Sequence, residues 1–529
     1  MFNRNLSPAI SRKGWLLTAV LCLCAVVSPF MAKADGAGRD DEICRLASSD
    51  RWLAHLRRDL LPYWETDSAL GNKPGEFPTW RYFDGEVVDP GNLRDEFLRL
   101  TTAPGYSRFT GAKPPWRFNR IYIRMLSQQT YFYGVAYHLT GEEKYLQWAK
   151  AGVDYIIHNA YDEKTGGFAA FLLADGAKPD HSPAEAQITS QDLAYALSGP
   201  AFYYYLTRDP DVLRAIDQGE RFIFKRYDES LGLLRWVDED FSDPPDHDKA
   251  GQKNLVAQLD QINAYLLTMA SIVPDDEREH WKADLEKASA AVRKFYDGGH
   301  NVFWGRMDGF RDDKTGEIDH ERLGAYDVDF GHTGKAFTML YLAGRILKDN
   351  DMQHWALLNG TRVLNEAYVK EDGAWANGKN ADGSLRKDRE WWVYAELDQA
   401  AAVFGFSQPA VWNYLPSTYA FWFDKFVDHR HGDVWAMVEQ NGRHDRNPKT
   451  DLWKSGYHPA EHCLVGYITS LAARSQPVPL YFAFKAKEDL PPVSPYYFTA
   501  RTAAVAERAP LSSNFPGREK VRVVFTGVK

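Results

Sequence analysis

The chain is short of cysteine, of long apolar runs and of positive charge. Only four of its 529 residues are cysteine, and Cys22 and Cys24 fall in an apolar run near the N-terminus. The other two, Cys44 and Cys463, are too few for a zinc ribbon or a disulfide framework. In an oxidising compartment they could pair, with Cα atoms within about 7 Å, if the fold brings the chain ends together. The alternative is two separate buried thiols. Beyond the N-terminus no stretch approaches the ~18 apolar residues of a membrane span. Lys and Arg number 63 against 72 Asp and Glu, a net charge of −9, which argues against nucleic acid or an anionic membrane as partner.

Aromatic residues are in excess, at 14% with 17 Trp. They suit either a large core or a cleft that stacks on the C–H faces of sugar rings. The N-terminus has a separate role. Arg4, Arg12 and Lys13 precede "GWLLTAVLCLCAVVSPFM", and "AKA" at 32–34 offers small residues at −3 and −1. Residues 1–34 thus read as a secretory signal cleaved after Ala34, which implies a periplasmic or secreted protein with no membrane attachment after processing. Its removal takes the formal charge from −9 to −13.

The middle of the chain repeats. Five segments each give an amphipathic helix, a short polar turn, a second helix and a glycine-bearing aromatic hairpin. The hairpins are anchored at Tyr161, Tyr227, Tyr296, Tyr368 and Val427, between 59 and 72 residues apart. One helix is left over at each end, "EICRLASSDRWLAHLRRDLLPYW" and "PAEHCLVGYITSLAARS". An open stack needs polar caps, but both of these keep an apolar stripe, so the last pairs with the first. The expectation is an all-α (α/α)6 toroid of six helical hairpins over residues 35–474, with the starts of the inner helices opening on one face. Residues 475–529 are Pro-rich and then alternate apolar with polar. They read as a short extended or β-rich appendage of no legible function.

Two motifs tempt a different reading. "GHTGK" at 331–335 lacks the glycine and the hydroxyl residue that a phosphate-binding loop requires. "SGYHPAEHC" at 455–463 spells H-x-x-E-H, the inverted zinc-peptidase pattern. Metal binding would need His458 and His462 on one helix face and a third ligand downstream. Pro459 disfavours helical backbone at His458 and favours a helix beginning at Pro459 itself. We therefore expect neither a metal nor a cofactor.

The segments "DFGHTGKAF", "REWWVYAELDQA" and "WKSGYHPAEHCL" follow one another at the starts of alternating helices. They resemble the G-H, W-W-x-x-A-E and K-x-x-Y-H segments of the N-acylglucosamine 2-epimerase superfamily. That group includes cellobiose 2-epimerases and the mannose and sulfoquinovose aldose–ketose isomerases. In "YHPAEHCL", Tyr457 and His458 are followed by His462, as in the isomerase branch. The resemblance implies an (α/α)6 barrel and a proton shuttle on a reducing mono- or disaccharide through a cis-enediol, with His332 and His458 as the catalytic pair. An imidazole suits that work because its pKa lies near the working pH. It further implies that Glu396 orients polar groups and that Trp391 and Trp392 stack on the sugar. Four positions depart from the family pattern: Lys335 stands where an acid is usual, Glu461 where arginine is frequent, and Gln128 and Gln258 where an arginine and a histidine are usual. These departures point to a different substrate, a rearranged electrostatic site or lost activity. Two rival readings follow: a glycoside hydrolase or lyase drawing a carboxylate pair from Asp327, Asp329, Glu390 and Glu396, and a non-catalytic sugar-binding protein. Oligomeric state is not legible.

Overall fold

The computed structural model describes residues 45–529, except for 90, 96, 98–117, 119, 163–166, 174–187, 238–252, 307–327, 381 and 445–447. Six helices run along the inside of a ring: α2 (Ile123–Thr140), α4 (Ser190–Thr207), α6 (255–272), α8 (Phe330–Leu347), α10 (Trp391–Gly405) and α12 (Tyr457–Ala473). Each has an outer partner. These are α3 (143–160), α5 (Pro210–Phe224), α7 (Asp275–Arg293), α9 (Asn350–Ala367), α11 (409–426) and, paired with α12, α1 (49–64). Every inner helix packs on the next, and α12 packs on α2, so the ring is closed.

Burial explains the sequence pattern of each class. An inner helix is covered on both sides, and in α2 every residue from Ile123 to Leu139 is buried. An outer helix such as α5 buries only one stripe, which includes Val212, Ala215, Ile216 and Ile223, the ordinary amphipathic arrangement. The hairpins fall where the repeat places them. Antiparallel two-residue strands begin at Tyr161, Tyr227, Tyr296 and Tyr368, and Val427 bridges Val434. A sixth turn, bridged Arg81 to Val87, follows α1.

Closure brings the chain ends close. Trp52 of α1 lies so near α12 that a Cβ on Gly466 would sit 2.3 Å from its ring. Cys463 on α12 is a free, buried thiol that donates to Trp52 O at 3.3 Å. Cys44 lies outside the described residues, as do residues 1–34, expected to be a signal, and Asp327. The last helix begins at Tyr457, two residues earlier than the proline implies. Pro459 occupies the third helical position, where its missing N–H costs nothing, and His458 is helical.

The appendage is a three-stranded antiparallel sheet, β1 (Val478–Lys485), β2 (Thr502–Pro510) and β3 (Arg518–Thr526), with β3 in the middle. β1 packs against α2 and α4. Tyr137 OH donates to Phe482 O at 2.8 Å and the His138 ring bonds Tyr481 O at 2.8 Å, both near the C-terminal end of α2. The sheet therefore covers the floor of the ring, opposite the helix starts. No helix among the described residues is long and apolar enough to cross a membrane.

Candidate functional site

The first turns of the inner helices carry a chain of polar contacts around the ring. Arg124 on α2 reaches Asp192 (3.2 Å) and Gln191 (3.3 Å) on α4. Gln191 donates to Asp260 on α6 at 2.7 Å. Lys335 on α8 donates to the other oxygen of Asp260 at 2.9 Å and lies 3.6 Å from Glu396 on α10. His458 on α12 is 3.3 Å from the same Glu396 oxygen. Just before α12, Ser455 closes the circuit by donating to Gln128 on α2 at 2.6 Å.

His332 and His458 are both placed at this mouth, each near the same indole. The Trp392 ring is centred 4.5 Å from the His332 ring and 6.3 Å from the His458 ring. Its Nε1 donates to Glu390 at 2.8 Å, which fixes the plane. Each imidazole has its own carboxylate. Asp329 caps α8 by accepting from His332 N, and its second oxygen lies 2.6 Å from His332 Nδ1; one residue thus starts the helix and aims the ring. His458 faces Glu396.

The two rings are tuned apart. Burial disfavours charge on His332, but the charge and hydrogen bond of Asp329, with Asp260 behind, overcome it and raise its pKa. On His458 burial wins over Glu396, Lys335 works in the same direction as burial, and the pKa falls. The Lys335 ammonium is buried, yet Asp260, Tyr195 and Glu396 hold it firmly charged. It in turn keeps Asp260 and Glu396 ionised against their own burial. Lys335 therefore balances two buried acids.

Other expected residues lie elsewhere. Gln258 is fully buried, and its amide exchanges hydrogen bonds with the Leu234 backbone at 2.7 and 2.8 Å, so it ties α6 to a hairpin. The α6 residue that faces the site is Asp260, two positions on. His462 points away from His458, 3.0 Å from Asp398 and packed among Trp52, Tyr419 and Trp422. Trp391 is 7% exposed and belongs to the core; Trp392 is the tryptophan at the site. Tyr457 is buried against Tyr131 and Tyr195 and accepts from Asn263 at 3.1 Å. Sequence reading missed Asp260, Gln191 and Asp192, and also Trp453, which is 43% exposed with the Arg124 guanidinium 5.0 Å from its ring centre.

The two histidines of H-x-x-E-H thus do not converge. Glu396, His458 and Glu461 do bring ligand-type atoms within 4.8 Å of one another, but the Lys335 ammonium already supplies the positive charge there. A second grouping, Asp217, Glu220 and His280, lies between α5 and α7 on the outer wall. A cavity of about 440 Å³ opens between α3 and Asn514–Phe515 and contains none of the residues at the mouth. Of the carboxylates named for a hydrolase pair, Asp329 and Glu396 each face a histidine, and Glu390 accepts from Asn377 and Trp392.

No family model matches the sequence. Cellobiose 2-epimerase of Eubacterium cellulosolvens is 24% identical over 363 residues, covering 64% of this chain and 85% of that protein. Cellobiose 2-epimerase of Dictyoglomus turgidum is 22% identical over 425 residues, covering 78% and 95%. Among solved structures, cellobiose 2-epimerase from Bacillus thermoamylovorans B4167 superposes with a TM-score of 0.62 at 16% identity, covering 79% of this chain and 98% of that one. The chain is thus similar in sequence to two cellobiose 2-epimerases and shares its ring of six hairpins with a solved structure of another.

Proposed function

We propose that this protein is a sugar isomerase or 2-epimerase that moves the proton next to the carbonyl of a free reducing mono- or disaccharide. The observation that carries the reading is the histidine pair beside Trp392, one pKa raised by Asp329 and the other lowered by burial. Two titratable groups pushed apart in one site are the mark of an acid and a base. Neutral His458 is the base that takes the proton from C2, and charged His332 is the acid. Protonation of the enediolate at C2 on the face opposite to abstraction gives the epimer; protonation at C1 gives the ketose. Trp392 and the exposed Trp453 supply flat apolar faces for sugar rings. Lys335 keeps Glu396 ionised and draws charge away from His458, which keeps that ring a free base.

The cellobiose 2-epimerase relatives support the substrate class. The leader at 1–34 supports action outside the cytoplasm, and an intact mass beginning at Asp35 in exported protein checks that part. The reaction itself is tested by incubating mature protein with a panel of reducing sugars and resolving the products. New isomers of one sugar are expected. Release of a second sugar, or no product from any member of the panel, would overturn the proposal.

A further inference from the structure

Among the described residues, three buried atoms beneath the mouth lack a well-aligned hydrogen bond, Glu396 Oε1, His458 Nδ1 and Glu461 Oε2, although the first two lie 3.3 Å apart. Ligand-type atoms of these three residues lie within 4.8 Å of one another. Carboxylate oxygens and a bare ring nitrogen packed together out of water are costly unless a proton lies among them. Lys335, 3.6 Å from Glu396 Oε1, selects Glu396 as the ionised acid. Among the described residues no cation is paired with Glu461. The Gln399 side-chain amide lies beside it.

The other oxygen of Glu461 is held from below by the appendage. Tyr496 OH donates to Glu461 Oε1 at 2.5 Å and accepts from Tyr131 OH at 2.8 Å. Tyr496 has φ 58°, a left-handed backbone that an aromatic residue adopts only when its surroundings impose it. Those surroundings are explicit. Tyr205 OH accepts from Tyr496 N and donates to Ser494 O, while Tyr497 stacks on Tyr496 at 3.8 Å and donates to Asn263 O. The C-terminal segment thus enters the ring from its floor, and its Tyr496 reaches Glu461, one helical turn from His458.

We propose that Glu461, held by Tyr496 of the appendage, is a positioning residue that keeps a proton beneath His458, leaving Glu396 as the single negative charge beside that ring. Burial and the nearby charge of Glu396 push the Glu461 carboxyl up to about 7, against the opposing effects of Tyr496, Lys335 and Gln399. The remaining groups packed around it, Tyr131, Tyr457, Tyr496 and Tyr497, stay neutral, their pKa values raised by burial and by Glu461 itself. When Glu461 ionises, a second negative charge beside His458 makes the ring more basic, so it holds the proton it should pass on. This effect on turnover rests on the reading of His458 as the base; the proton on Glu461 does not.

Infrared difference spectroscopy of the mature protein, titrated without sugar, tests it. The carbonyl band of a buried protonated carboxyl should fade as pH rises through about 7, and that component should be missing from Glu461→Gln. Glu220, also raised, to about 8, contributes equally to both spectra. Tyr496→Phe, which removes a hydrogen bond to the charged form, should move the midpoint up by about one unit. Identical titrations in wild type and Glu461→Gln, or an unmoved midpoint in Tyr496→Phe, would overturn the proposal. With a sugar that turns over, Glu461→Gln should lose the inflection near neutral pH in kcat while KM is unchanged; an inflection that persists would contradict the link to His458. Failure to find such a sugar would refute the isomerase reading and leave the infrared result standing.

Discussion

Replacing Lys335 with methionine removes one ammonium and leaves two buried acids without it. Lys335 donates to Asp260 at 2.9 Å and lies 3.6 Å from Glu396, with the side chains 3%, 2% and 3% exposed. Methionine approximates the volume, so the loss is electrostatic. Breaking a buried ion pair by deleting one partner costs about 3–5 kcal/mol, and here, among the described residues, Asp260 keeps Gln191 and Glu396 keeps His458 as polar partners. The cost has a definite pH dependence. Both carboxyls have lowered folded values because Lys335 overcomes their burial. The stability they contribute is present above the unfolded carboxylate value near 4 and is lost as pH falls through the folded values. In the variant these acids can take up protons instead, so the deficit should be largest at pH 7–8 and shrink towards pH 5. Denaturant unfolding at matched pH measures it. Asp260→Asn combined with Lys335→Met should recover part of the loss through a coupling energy well above 0.5 kcal/mol. A single-variant cost under about 1 kcal/mol at pH 7, or one independent of pH, would refute the reasoning.

Gly466→Ala places a methyl 2.3 Å from the Trp52 ring at the ring closure and should destabilise by about 1–3 kcal/mol or more in thermal unfolding, with no change in which sugar is used. The pH profile of kcat/KM in the direction that uses His458 as base should be a bell, its acid limb below the ordinary histidine value near 6.5 and its alkaline limb above it, because His458 is lowered and His332 raised. Glu461 is raised to about 7 in the folded chain, so it subtracts stability as pH climbs from its unfolded value near 4 to 7. Glu461→Gln escapes that loss and should be more stable than wild type above neutral pH, by at most a few kcal/mol, and of similar stability near pH 4.

The ring was legible because its signals are local and repeated. Tyr161, Tyr227, Tyr296 and Tyr368 each mark the same step, the end of an outer helix turning into a hairpin, and the apolar stripes on α1 and α12 required the two helices to meet. His332 and Trp392 were legible for a related reason: they begin inner helices, and helix starts line the mouth of a toroid. The failures are of register and of distance. Gln258 and Asp260 differ by two positions, close to 200° around the helix, and only the packing of α6 decides which faces inward. Trp391 and Trp392 are separated by one position in the same way. His462 shares a motif with His458 but points towards the outer wall, because Asp398 and a cage of aromatic rings receive it there. Nothing local announces that Tyr496 meets Glu461, since that contact joins a floor segment to a helix start across the inside of the ring.

The central claim is that His332 and His458 exchange a proton with the carbon next to the sugar carbonyl. Running the reaction in heavy water with wild type, His332→Ala and His458→Ala, and locating deuterium in the product, tests it most directly. The account predicts label at the carbon that changes, together with a loss of turnover on the order of 10²–10⁴-fold in either variant. Product that carries no deuterium, or a variant that keeps full turnover, would contradict it.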